Sequence, residues 1–141
     1  MKKIFFFGCV IVAFWSCSLD DSSNEDFHFE ILPIESASVP TEMRFGEVYT
    51  IHYSYFRPSS CHFFNDLYYV AESNIRTIAV INIVLNANEN NICESLTNTL
   101  EEKSFNFVVN NIEGTYVFKF WQGEDENGQD IYLVYEVPVT Q

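Results

Sequence analysis

Basic residues are scarce in this chain of 141 residues, which has seven lysines and arginines against twenty aspartates and glutamates. Two of the seven are Lys2 and Lys3, so a chain without its first sixteen residues carries a net charge of −15 instead of −13. Such a negative field repels phosphate backbones and anionic lipid headgroups. We therefore expect no nucleic-acid partner and no membrane binding through a basic face.

Motifs for metals and for catalysis are also missing. The three histidines, His28, His52 and His62, are scattered, and there is neither a His-x-His nor a Cys-x-x-Cys pair to support a zinc site. Ser60, His62 and Asp66 supply the residue types of a hydrolase triad, but no nucleophile-elbow glycines flank the serine. We expect a protein that is not an enzyme and that uses no metal and no cofactor.

No apolar run is long enough to cross a membrane. The longest, residues 4–15, spans about a dozen residues, whereas a membrane-spanning helix needs roughly 20. It follows Lys2 and Lys3 and precedes the small residue Ser16, the pattern of a secretory signal peptide. We predict a signal peptide over residues 1–16.

Two cleavage sites compete at the end of this segment. An ordinary signal peptidase would cut after Ser18, whereas lipoprotein processing would cut before Cys17 and attach lipid to its thiol. We favour Cys17, because its thiol lies at the end of the apolar run, where lipid attachment requires it. Two or three acyl chains anchor a protein stably, so the membrane becomes a partner through lipid alone.

The flanking residues resemble known sorting signals. Phe-Trp-Ser-Cys at 14–17 resembles a bacterial lipobox, and Ser-Leu-Asp-Asp at 18–21 resembles the acidic tag that sends lipoproteins of one Gram-negative group to the cell surface. The resemblance implies the outer membrane, facing the exterior, with its periplasmic face as the alternative. The acidic residues could instead only keep a tether solvated. Residues 17–26 would be the lipidated cysteine and tether, and residues 27–141 the folded domain.

Cys61 and Cys93 form an even pair once Cys17 carries lipid. In an oxidising compartment such a pair predicts a disulfide. The alternative is a Cys61 nucleophile with His62 as its base, but neighbours on a strand point to opposite faces. We predict the disulfide, as a pin between loops.

Hydrophobic residues alternate with a period of two along the domain, and no segment of ten residues shows a helical period. The fourth of the predicted strands is almost continuously apolar, as expected of a central strand covered on both faces. Asn127-Gly128 predicts a type I′ turn between the last two strands. We expect an all-β sandwich of about seven antiparallel strands, centred on residues 27–31, 49–55, 67–71, 77–85, 105–109, 114–121 and 131–137.

Glu-Gly-Thr-Tyr-Val-Phe at 113–118 resembles the entry to the penultimate strand of immunoglobulin-like sandwiches. The resemblance implies that Tyr116 makes a corner hydrogen bond. It also departs from antibody domains, which would have cysteine where Phe118 stands. The whole chain resembles small bacterial outer-membrane lipoproteins, which implies a location and a fold.

Two segments are candidates for ligand binding. Trp121 beside Gln122 offers a flat indole and an amide, a combination that suits a sugar ring. The loop of residues 57–66, with Arg57 and His62 next to a cysteine, has the mixed chemistry of a recognition loop. Ordinary packing is the alternative explanation for both.

The acidic hairpin contains a fragment of calcium-loop spacing. Asp125, Asn127 and Asp130 supply oxygen ligands at the spacing Asp-x-Asn-Gly-x-Asp, but the terminal glutamate and the flanking helices of such loops are missing. A plain hairpin turn is the alternative. The sequence thus predicts an anchored, non-enzymatic module that binds a glycan, protein or peptide, or that scaffolds an envelope assembly. An immunoglobulin-like protease inhibitor is the second hypothesis and a hydrolase the third.

Overall fold

The structure, a computed structural model, describes residues 26–88 and 92–141. These residues form strands and loops and contain no helix, which confirms the all-β prediction. The predicted strands correspond to β1 and to β4 through β9, and the short β2 and β3 were not predicted. The strands are β1 (Phe27–Leu32), β2 (Ser36–Ser38), β3 (Met43–Arg44), β4 (Val48–Phe56), β5 (His62–Glu72), β6 (Ile75–Leu85), β7 (Leu100–Val108), β8 (Thr115–Glu124) and β9 (Asp130–Thr140).

The strands form a large sheet and a small sheet. The small sheet has the order β2-β4-β7, and the large sheet is built around β6. One edge of β6 pairs with β5, and its other edge is shared by β8 along the first part and β1 along the second. β9 follows β8, and β3 completes that side of the sheet.

Two strand pairs are parallel, which corrects the expectation of antiparallel strands throughout. β6 runs parallel to β8, with Ile75 beside Val117 and Ile78 beside Phe120, and β3 runs parallel to β9. The chain leaves β6, passes through β7 in the small sheet and returns to the large sheet. It therefore enters β8 in the same direction as β6.

The inner faces of the two sheets pack on each other through aromatic rings. The ring of Phe107 on β7 lies 4.8 Å from that of Tyr116 and 5.0 Å from that of Phe118, both nearly perpendicular. Such edge-to-face pairs add to the free energy gained by burial alone. Alternation of period two therefore identified the inner face correctly on β8 and, through Ile51 and Tyr53, on β4.

The Tyr116 hydroxyl fixes the loop that leads into its own strand. It accepts hydrogen bonds from the backbone N–H groups of Asn110 and Asn111, at 3.1 and 3.0 Å. The corner hydrogen bond predicted for this tyrosine is therefore present.

β6 has no exposed residue, as predicted for a central strand, although the small sheet packs on only one of its faces. Its inner residues Ile78 and Val80 are buried, as is Asn82, whose amide nitrogen and oxygen have no hydrogen-bond partner among the described residues. The part of the chain that the structure describes places no second layer over its outer face. Apolar neighbours shield that face from the side instead, because Ile83 pairs with Phe29 on β1 and with Phe63 on β5.

The hairpin between β8 and β9 is present, but its turn is not of type I′. Such a turn needs positive φ at both central residues, whereas only Gly128, with a φ of 74°, has it here. The backbone N–H of Gly128 bonds the carbonyl of Asp125, and the Asp125 carboxylate accepts from the N–H groups of Asn127 and Gln129. The aspartate side chain therefore organises a different turn.

The predicted disulfide joins Cys61, just before β5, to Cys93, in the connection between β6 and β7. Backbone hydrogen bonds continue this cross-link, from Ser60 to Glu94 and from Leu96 to Pro58. The prediction of a pin between loops is confirmed.

The signal peptide of residues 1–16, the lipidated Cys17 and the tether up to residue 25 lie outside the described residues. Within those residues, no helix is both long enough and apolar enough to span a membrane.

Candidate functional site

A groove of about 320 Å³ crosses the outer face of the large sheet. Its lining includes Thr77 and Ala79, which are small side chains on the central strand β6. Larger side chains from the neighbouring strands rise around them: Tyr68 on β5, Trp121 on β8 and Tyr132 on β9. Because Tyr68 pairs with Ala79 and Trp121 pairs with Tyr132, all of them project from the same face.

Asp130 holds two of these rings in place. Its Oδ1 accepts a 2.7 Å hydrogen bond from Nε1 of Trp121, and its Oδ2 accepts one of 3.1 Å from the Tyr132 hydroxyl. Burial, followed by this hydrogen bond, raises the pKa of Tyr132, so the hydroxyl stays protonated and donates at neutral pH. The two rings therefore form a fixed platform.

Charge around the platform is mostly negative. Glu124 and Asp130 line the groove, while the ammonium of Lys119 lies 4.1 Å from the centre of the Tyr132 ring and covers one of its faces. Flat rings beside carboxylate acceptors suit a ligand with C–H faces and hydroxyl groups, which is the chemistry of a sugar. They do not suit a polyanion.

Gln122 does not belong to this groove. It lies in the β-bulge between Trp121 and Gly123, it does not line the groove, and its amide donates to the carbonyl of Ile34. The structure therefore separates Gln122 from Trp121, which the sequence analysis had joined in one site.

Arg57 and His62, the other candidates, lie in the disulfide-linked region and do not line the groove. Nη1 of the half-buried Arg57 lies 3.6 Å from Glu101, a loose ion pair. Buried His62 connects two side chains: Nδ1 lies 2.7 Å from Oγ of Ser59, and Nε2 lies 2.9 Å from Glu30.

Ser59, His62 and Glu30 thus contain the residue types of a hydrolase triad, with other partners than the Ser60 and Asp66 considered from sequence. A serine hydrolase also needs backbone N–H donors for an oxyanion. The two N–H groups that follow Ser59 are already used, that of Ser60 by the carbonyl of Glu94 and that of Cys61 by Oγ of Ser59 itself. The contacts of His62 with Ser59 and Glu30 therefore join the disulfide-linked loop to β1.

Asp125, Asn127 and Asp130 do not converge on one point. The Asp125 carboxylate binds backbone N–H groups of its own turn, and that of Asp130 binds Trp121 and Tyr132. In the described ranges, no group of three or more histidine, cysteine, aspartate or glutamate residues is placed to hold a metal ion.

Sequence reasoning missed Tyr68, Tyr132 and Asp130 as members of the groove. The hairpin offered a usable signal for Tyr132, because its pairing places this residue opposite Trp121. No local signal pointed to Tyr68, because the β5–β6 hairpin reaches Trp121 only through the pairing of β6 with β8. No family model, curated protein or solved structure matches the chain.

Proposed function

We propose that the protein is a non-enzymatic, membrane-anchored module that holds a neutral glycan in the groove of the large sheet. The observation that carries this proposal is the pair of rings, Trp121 and Tyr132, that Asp130 fixes beside small residues on β6. Rings that are held before binding lose little side-chain entropy when a ligand stacks on them.

Charge narrows the class of glycan. Glu124 and Asp130 accept hydrogen bonds from hydroxyl groups, and they repel carboxylated or sulfated sugars. The net charge of the chain without its first sixteen residues, −15, acts in the same direction. We therefore expect neutral oligosaccharides to bind and acidic ones to be rejected.

An array of neutral and acidic oligosaccharides, followed by calorimetric titration of each hit, tests this function. Trp121→Ala should weaken binding by about tenfold or more, the size expected when a central aromatic contact is truncated. Gln122→Ala is the matched control, because this neighbour does not line the groove and should keep full affinity. An array without neutral hits, or full affinity in Trp121→Ala, would refute the proposal.

The anchor belongs to the same proposal. Support comes from the apolar run, from Ser16-Cys17 at its end, and from the even pair of sulfurs that remains and forms the disulfide. Labelled palmitate should appear on the chain in cells and should be lost in Cys17→Ser. Protease treatment of intact cells separates the exterior face of the outer membrane from the periplasmic one, because only exposed chains are cut.

We also propose that the domain is a variant of the immunoglobulin-like sandwich. The corner hydrogen bonds of Tyr116 support this. In antibody-type domains the third strand lies beside the penultimate strand. Here the penultimate strand is β8, and its neighbour is β6, the second strand of the β5–β6 hairpin, instead of β5. An experimental structure showing β5 beside β8 would restore the standard order, and one showing β6 there would keep the variant.

A further inference from the structure

β7 is an edge strand with little protection. Among the described residues it pairs only with β4, in a register without interruption over its whole length. Edge strands usually avoid self-association through proline, bulges or charged side chains, of which lysine is the most frequent. β7 has no proline and no bulge, and its one basic residue, Lys103, lies over the ring of Phe64, 5.3 Å from its centre. Of its two glutamates, Glu101 lies 3.6 Å from Arg57, and Glu102 alone is exposed on the outer face. β5, at the edge of the other sheet, has a bulge between Phe64 and Asp66.

Exposed apolar residues stand at both ends of the β4–β7 ladder. Phe56 pairs with Leu100 at one end, and Val48 pairs with Val108 at the other. Their exposed fractions are 43%, 46%, 58% and 48%, respectively. Polar residues separate these two apolar pairs, and Ser104, the middle residue of β7, lies midway between them.

We infer that two copies of this chain pair through β7, antiparallel, with a two-fold axis at Ser104. This register places Leu100 opposite the partner's Val108. The two-fold axis repeats this contact at the other end of the paired strands. Each contact then extends into an apolar row of four side chains, from Phe56 and Leu100 to the partner's Val108 and the partner's Val48. Apolar pairs directly opposite each other are the units that stabilise such a sheet.

The polar residues of β7 agree with the same register. It places Glu102 opposite the partner's Asn106. Oδ1 of Asn106 already accepts a 3.0 Å hydrogen bond from Thr50, which leaves its amide N–H groups to donate to a carboxylate. An axis at Glu102 would instead place two carboxylates together, which is destabilising. An axis at Asn106 would leave Leu100 without a partner on the strand.

The two small sheets would form one continuous sheet of six strands. Pairing would satisfy the free backbone groups of both β7 edges and remove the exposed edge from each copy. The groove lies on the other sheet, so this inference does not depend on the proposed glycan.

Sedimentation equilibrium of the full chain across micromolar concentrations tests the inference. We expect a monomer–dimer equilibrium that Val108→Glu weakens by about tenfold or more, because a carboxylate then faces Leu100 without a partner. The double variant Leu100→Lys/Val108→Glu should restore the dimer, because each new ammonium faces a new carboxylate of the partner. Ile112→Glu is the control, since Ile112 is 61% exposed and lies outside β7.

A wild-type chain that sediments as a monomer at every concentration would overturn the inference. A double variant as weak as Val108→Glu would overturn the register and with it the axis at Ser104. Amide hydrogen exchange adds a readout that needs no variant, because the N–H groups on the free edge of β7 should become protected as the concentration rises. Protection that does not change with concentration counts against pairing.

Discussion

The indole Nε1 of Trp121 donates a 2.7 Å hydrogen bond to Asp130, across the two strands of the last hairpin. Asp130→Ala should free the ring, whereas Asp130→Asn keeps an acceptor oxygen and should hold it. The indole N–H resonance of Trp121, assigned with Trp121→Phe, should move and exchange faster with solvent in Asp130→Ala. An unchanged resonance would mean that the indole is fixed by packing alone. Because the contact is exposed, we expect the free energy of unfolding to fall by no more than about 1 kcal/mol.

Asp125 should make the hairpin sensitive to acid. Hydrogen bonds from the backbone N–H groups of Gln129 and Asn127 lower its pKa below the ordinary value of 3.8. The ionised carboxylate therefore adds stability that is fully present above that value and is lost as the pH falls through the lowered pKa. Asp125→Asn accepts similar hydrogen bonds without titrating, so it should remove this part of the acid dependence. Urea unfolding at neutral and acidic pH measures the free energy of unfolding of the wild type and of Asp125→Asn. If this free energy falls by the same amount in both proteins as the pH is lowered, the assignment is wrong.

Cys61→Ser should lower the free energy of unfolding by about 3.5 kcal/mol, the chain-entropy value for a closed loop of 32 residues. Denaturant unfolding in oxidising buffer measures the loss. The double variant Cys61→Ser/Cys93→Ser is the control, because it should lose no more than the single variant. A wild-type chain with the same melting temperature with and without reductant would show that the cross-link contributes nothing.

Tyr116→Phe should destabilise the domain by about 1 to 3 kcal/mol, because the N–H groups of Asn110 and Asn111 lose their shared acceptor. Tyr53→Phe is the matched control, since Tyr53 is a buried tyrosine of the same core and does not contact Asn110 or Asn111 through its hydroxyl. Thermal unfolding of the two variants should separate them clearly. Equal melting temperatures would show that the hydrogen bonds of the Tyr116 hydroxyl do not contribute to stability.

The alternation of apolar residues along the sequence predicted most strands of this fold, but it did not predict which strands pair with each other. Alternation along Tyr116, Phe118 and Phe120 was visible in the sequence, because every second side chain must enter the core. β2 and β3, with three and two residues, are too short to show a period.

The groove was harder to foresee, because its residues come from different strands. Trp121 was identified from its residue type and its neighbour Gln122. Tyr132 joined it through the register of a hairpin, and Tyr68 joined it only because β6 pairs with β8, which is distant in sequence. The same limit applies to His62, whose partner Glu30 comes from β1. Residue type thus indicates chemistry, while topology decides which side chains meet.

The shared edge of β6 has a consequence for biogenesis. One part of this edge pairs with β1, near the start of the domain, and the other with β8, near its end, so the sheet cannot close until almost the whole chain has left the ribosome. Such distant pairings slow folding. A nascent chain that stays open for longer can still be threaded through a translocation channel, which the proposed export of this protein requires.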